Sequence, residues 1–439
     1  MKKSTLMVVV VAIALGAFVY FYDSRHSVTP PTDEASWKPA FAVKADQIIG
    51  LTIASATGKT VFAKQRDGWQ ITQPVSTRAD QMSISDVVND LSSAKIRRSF
   101  APTDSLSKYG LDRPFVTIEF QQKGAAKHTI RLGDKDFSGS LVYALVDASK
   151  NVDLLPASLL DETDKPLSQL RDRSLLELNG GEISGITIED PSGTIAIAKK
   201  GSAWEIAKPK AALADSSAVD SLVSSLSTSK FTDVASETPG ELTKYGLTHP
   251  SASVAVTAKG HDFHLLVGRK NGDNYYARDT ARPMVFEISS SVYDALNKKF
   301  FDLRDKSILH FDPANVATVV VKNANGAIVC EQGKDSQWTI VQPAAEKGKA
   351  IQSWKVLDPL ENARATQIYD LPSPSILKHV SRPAVEVTLT DKAGKKTTVD
   401  ISAAAGDSVY VHTTAGPEVY EVKTQILKDL GFRLADLLM

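Results

Sequence analysis

The pattern W-x-I-x-x-P occurs three times, as WQITQP from Trp69, WEIAKP from Trp204 and WTIVQP from Trp338, at intervals of 135 and 134 residues. A second motif follows each copy: KYGLDRP ending at Pro114, KYGLTHP ending at Pro250, and a degraded KHVSRP ending at Pro383. The Trp-to-Pro separations are 45, 46 and 45. Two motifs kept in phase to within one residue require three copies of one structural unit. A third motif, LRDRSLL at Leu170–Leu176 and LRDKSIL at Leu303–Leu309, reads as the close of each unit, with FRLADLL near the C-terminus as its echo. The units are expected at 46–180, 181–312 and 313–439.

Within each unit the hydrophobic period changes in a set order. IIGLTIAS, GITIED and VATVVVKN alternate apolar and polar residues and pass through glycine turns into a second strand and then the Trp strand, the pattern of an antiparallel meander. The proline five residues after each Trp lacks a ladder donor and should end that strand. Ala79–Lys95 and Ala214–Lys230 then carry apolar residues at helical spacing, Ile84, Val87, Val88 and Leu91 in one and Val219, Leu222, Val223 and Leu226 in the other. Asp80 and Asp215 stand at the N-cap positions. Further strands and a short helix follow. The expected class is α+β: a transmembrane helix, then three similar units of antiparallel sheet plus amphipathic helix.

The transmembrane helix is expected at Leu6–Tyr22, seventeen uncharged residues behind Lys2 and Lys3. At about 1.5 Å per residue such a helix spans roughly 25 Å of hydrocarbon. A cleavable signal peptide shares these features, but the run ends in Tyr20, Phe21 and Tyr22, which suit a membrane interface better than a cleavage site. The two lysines favour a cytoplasmic tip, so residues 1–22 form tip and anchor, and the bulk lies on the periplasmic side of the inner membrane. The polar, proline-containing stretch 23–45 reads as a spacer.

Lys plus Arg and Asp plus Glu number 51 each, which leaves no strong field for nucleic acid. Cys330 is the single cysteine and has no internal disulfide partner. No nucleophile-elbow, zincin, P-loop or dinucleotide motif occurs. The three tryptophans, on alternating strands, are expected to fill cores rather than bind a ligand. His261 and His264 are the one local cluster of metal-ligand type, yet residues three apart on a strand face opposite sides. Asp134 and Asp136 fall at a turn. Arg171, Asp172, Arg304 and Asp305 are expected to form ion pairs closing each unit, with a partner surface as the alternative. No catalytic, cofactor-binding or metal-binding residue is therefore expected, and no cofactor; any ligand-binding residue is left open.

The combination of a short N-terminal anchor, W-x-I-x-x-P, K-Y-G-L-x-x-P and L-R-D-[RK]-S resembles a bacterial family catalogued only as a domain of unknown function. The resemblance covers about 46–310 closely and the third unit weakly. It implies membrane-tethered, β-rich repeat proteins often encoded beside gliding-motility-type ABC transporter genes. The expected function is that of a non-enzymatic periplasmic accessory or scaffold protein whose partner is an inner-membrane protein such as an ABC transporter permease. A binding protein for an envelope glycan or lipid is the alternative; an envelope hydrolase lacks a supporting constellation.

Overall fold

The computed structural model describes residues 37–124, 126–178 and 180–439. The anchor expected at Leu6–Tyr22 and the spacer up to residue 36 lie outside them. Among the described residues no helix is long and apolar enough to cross a membrane.

Three large sheets follow one another along the chain, with nine, nine and eight strands. In the first, the order from edge to edge is Thr77–Arg78, Gly68–Gln73, Gly58–Gln65, Ile48–Ser55, Val116–Gln122, Lys127–Lys135, Leu141–Val146, Val152–Pro156 and Arg98–Phe100. Its neighbours are antiparallel throughout. The chain leaves the sheet at the Thr77–Arg78 edge, crosses it as helix α1 (Gln81–Ser93), and rejoins at the far edge as Arg98–Phe100. Helix α2 (Ser216–Thr228) makes the same crossing in the second unit and α3 (Trp354–Asn362) in the third. Asp80 and Asp215 cap α1 and α2, accepting from the amides of Ser83 at 2.9 Å and Ala218 at 3.1 Å. Each sheet buries its alternating apolar face against its helix in a separate core. Trp69, Trp204 and Trp338 lie in those cores, 4–7% exposed, and each Trp strand stops before its proline, which follows a cis peptide bond.

The KYGL segments close the opposite face. Tyr109 and Leu111 pack with Leu145 and Val152, and Tyr245 and Leu247 with Val285. Gly110 and Gly246 take left-handed φ values of 66° and 71°. The turn presses so closely on the sheet that a Cβ on Gly133 or Gly268 would lie 2.1 Å from the carbonyl oxygen of Tyr109 or Tyr245. This contact ties KYGL to the LGD and VGR segments. The third unit has neither glycine. Ser402 replaces the strand glycine, and the 3-10 turn becomes the α-helix Pro374–Val380. It keeps the aromatic contact: His379 stacks on Tyr410 at 4.4 Å, as Tyr109 and Tyr245 meet Tyr143 and Tyr276 at 5.0 Å. Substituting Gly133 or Gly268 with Ala is expected to cost about 1–3 kcal/mol through overpacking, whereas Ser402→Ala should avoid that clash. Hydrogen exchange of the affected unit would measure the difference.

Residues 37–45, placed in the spacer by the sequence, pack on the first unit. Lys38–Pro39 pairs with Lys95–Ile96. Phe41 and Val43 join the core, with Phe41 edge-on to Phe120 at 4.9 Å.

Candidate functional site

The charged residues that recur between copies converge at the two places where one unit passes to the next. There the RDRS and RDKS segments act differently from the sequence expectation: they join neighbouring units. Arg171 bridges to Ala79 at the exit edge of the first sheet, and three residues later Ser174 bridges to Lys230 at the far edge of the second. Arg304 with Ala214 and Ser307 with Arg364 repeat the arrangement between the second and third units. Successive sheets are thus chained edge to edge through an extended linker. Pro39, Ser174 and Ser307 each precede by nine residues the first long strand of their sheet, which opens at Ile48, Ile183 and Val316. The strand Lys38–Pro39 therefore occupies on the first unit the place that the linkers occupy on the others. Divisions at 46, 181 and 313 cut each packed unit just inside its beginning. In the C-terminal echo, Arg433 is not the counterpart of the motif arginine. Leu438 is, since it bridges to Ile351 and follows Leu437, whose carbonyl accepts from the amide of Gln352 as those of Leu170 and Leu303 accept from Asp80 and Asp215.

At the first junction Arg171 is 2% exposed. Its Nη2 donates to Glu237 Oε1 of the second unit at 2.7 Å, and Nη1 lies 3.9 Å from Met284 Sδ. At the second, Arg304 Nη2 donates to Asp370 Oδ1 of the third unit at 2.7 Å, and Lys210 Nζ meets the same oxygen at 2.8 Å. Both arginines reach 66 residues ahead. The adjacent aspartates shape the linker: Asp172 accepts from the amide and hydroxyl of Ser174 at 2.9 and 2.7 Å, and Asp305 from the amide of Ser307 at 2.8 Å. Burial pushes the Asp172 carboxyl up, but the Ser174 bonds and the Lys230 and Arg78 charges outweigh it and hold it below the ordinary carboxylate range. Burial likewise opposes ionisation of Asp370, and its bonds to Arg304 and Lys210 prevail.

Each junction holds a cavity. The first, about 400 Å³, is lined by Arg78, Asp172, Glu177, Glu182, Lys259 and His261 among others. Its charges largely answer one another, with Arg78 3.7 Å from both Asp172 and Glu177, Lys230 3.5 Å from Asp172, and Lys259 2.5 Å from Glu182. The second, about 290 Å³, includes Lys210, Arg304, Asp305, His310, Glu418 and Tyr420. There His310 Nε2 sits 2.6 Å from Asp305 Oδ2. Chemically these groups hold two units in register.

The other sequence candidates do not meet at the junctions as a site. His261 reaches the first cavity, while His264 lies further along the same strand, His261–Asn271, opposite Ala255. No group of three or more His, Cys, Asp or Glu side chains suited to a metal occurs among the described residues. Asp136 accepts from the Ser138 hydroxyl and the Leu141 amide, which organises its turn, and Asp134 lies beside Gly110. Cys330 is buried, and burial pushes its thiol up to about 11, the opposite of an activated nucleophile. Glu237 and Asp370 escaped the sequence reading. Their signal was an acid two residues before a proline, in ETP and DLP, at a constant distance from the motif arginine.

No curated protein matches the chain. Among solved structures, the crystal structure of the DNA polymerase III subunit beta from Pseudomonas aeruginosa aligns over 86% of this chain and 92% of its own, at 8% identity and a TM-score of 0.16, too low to indicate a shared fold. The DUF4340 family model, described as a domain of unknown function, matches residues 69–205 and 204–379. Both matches open at a repeat tryptophan; the first includes the Arg171 linker but ends before Glu237, and the second includes both Arg304 and Asp370. Together they cover well over half of the sequence, and the chain belongs to the DUF4340 family.

Proposed function

We propose that the protein is a membrane-anchored periplasmic accessory or scaffold protein, non-enzymatic, that holds three similar units in a set order and presents them to an inner-membrane partner such as an ABC-type transporter permease. The observation that carries this reading is the use of the recurring charges. Arg171 and Arg304 each leave one unit and pair with an acid of the next, so the most regularly repeated polar residues serve to align units. A buried arginine bonded to an acid of the next unit favours one relative placement over others, and an ordered array is useful chiefly for the surface it offers. The anchor reading of Leu6–Tyr22 would put that surface beside the bilayer.

The test is purification of the full-length protein from membranes, combined with a periplasm-dependent reporter fused after Met439. An active reporter and a stoichiometric membrane-protein partner are expected. An inactive reporter, or a chain recovered alone under mild extraction, would overturn the reading.

A further inference from the structure

Counting back from the buried leucines Leu91, Leu226 and Leu360, Trp354 on α3 stands where α1 has Ser85 and α2 has Asp220, and Pro359 stands where they have Asp90 and Ser225. Counting back from Leu170, Leu303 and Leu437, Phe432 stands where the first two units have Lys165 and Lys298. Three polar surface positions have thus become apolar in the third unit alone, and they meet. Trp354, Pro359 and Phe432 line a cleft of about 370 Å³ between α3 and helix α4 (Gln425–Leu430), and Trp354 is 56% exposed there. The cleft continues, through shared Pro359, Asn362 and Asp429, into a second of about 400 Å³ floored by Val422 and Ile426.

The charges free of an ion pair are graded along this groove. Asp358 lies at the aromatic end, Asp429 where the two clefts join, and Arg364 and Lys423 in the second cleft. Lys355, also at the aromatic end, is turned to the Asp436 carbonyl at 2.5 Å. Among the described residues Asp358, Asp429, Arg364 and Lys423 enter no ion pair. Asp429 accepts from Gln425 at 2.6 Å, and Arg364 donates to the carbonyls of Glu361 and Ala363. An elongated apolar floor with unanswered acids at one end and unanswered bases at the other is complementary to a chain, not to a compact solute.

We infer that the α3–α4 groove of the third unit docks a peptide segment of a partner protein, with apolar side chains against Trp354 and Phe432, a basic residue facing Asp358 and Asp429, and an acidic residue facing Arg364 and Lys423. This deepens the partner-binding function proposed above and rests on it. Docking desolvates an exposed tryptophan and supplies each free charge with a counterion, while the direction of the charge pair sets the direction of the bound segment.

The experiment uses the intact protein and three synthetic peptides with one apolar centre of leucine and phenylalanine: one with lysines at one end and glutamates at the other, one with lysines at both ends, one with glutamates at both. The dipolar peptide should bind saturably and best. The double variant W354S/F432K, which restores residues of the first unit's kind, should weaken it by roughly tenfold or more. The double variant D358K/D429K should transfer preference to the all-glutamate peptide. Unchanged circular dichroism would show that both variants fold. Absence of saturable binding up to about 1 mM, equal binding of all three peptides, or binding indifferent to both variants would overturn the inference. So would a Trp354-dependent response to anionic phospholipid vesicles or soluble glycan fragments instead of peptide, or self-association lost in W354S/F432K. If W354S/F432K still co-purifies the wild-type partner from membranes, the groove assignment fails and the scaffold function stands; if the wild type brings no partner, the scaffold function itself fails.

Discussion

Replacing Trp204 with Ala is expected to cost about 3–5 kcal/mol, confined to the second unit. The indole is 5% exposed and sits in one core with Val219, Leu222 and Leu226 of α2. Its removal takes away a large transfer free energy and leaves a cavity that strands bonded on both sides cannot close. Three separate cores make a single two-state transition an unsafe assumption, so hydrogen exchange resolved along the chain is the appropriate measurement. Exchange should rise across 183–303 and stay nearly unchanged in the first sheet. Trp354→Ser, on an exposed helical position, should alter stability by no more than about 0.5 kcal/mol. Equal and small effects of the two substitutions would show that Trp204 does not support the core.

The second large effect is expected at a junction. Glu237→Gln leaves the Arg171 guanidinium in place, 2% exposed, without its counterion. An uncompensated buried charge costs about 3 kcal/mol, toward the low end of the usual range because the Glu237 side chain is 40% exposed and water reaches that side. Arg171→Met removes the charge itself and should be milder, since a flexible apolar chain can fill the space beside Met284. The order of the two variants is the informative result. It would appear in chemical denaturation and in protease cleavage between residues 170 and 180. If Arg171→Met proves the more damaging, the arginine acts through further hydrogen bonds and not through its pair with Glu237.

Much of this architecture was legible because repetition turns weak local signals into strong ones. One Trp five residues before a proline says little; three at a near-constant interval, the first two followed by an aspartate-capped helix, impose the same meander and crossing on each unit. The helix positions Ile84, Val87, Val88 and Leu91 are buried as their spacing requires. The stretch from Trp37 to Val43 reads as spacer for the reverse reason, although it packs on the first unit. Lysines and a proline disguised Phe41 and Val43, and no periodicity shows that Lys38–Pro39 takes the strand position that Ser174 and Ser307 take in later units.

By itself the sequence determined the local order: which residues alternate, where helices are capped, where a glycine must permit a left-handed turn, and that all this happens three times. These depend on neighbours a few residues apart, so the chain carries them in its periodicity. The tertiary structure alone decided which arginine meets which acid and which surfaces are left unpartnered. Arg171 finds Glu237 across 66 residues, and Trp354 and Phe432 come to line one cleft, because sheet edges and helix faces bring together groups whose separation along the chain has no fixed period.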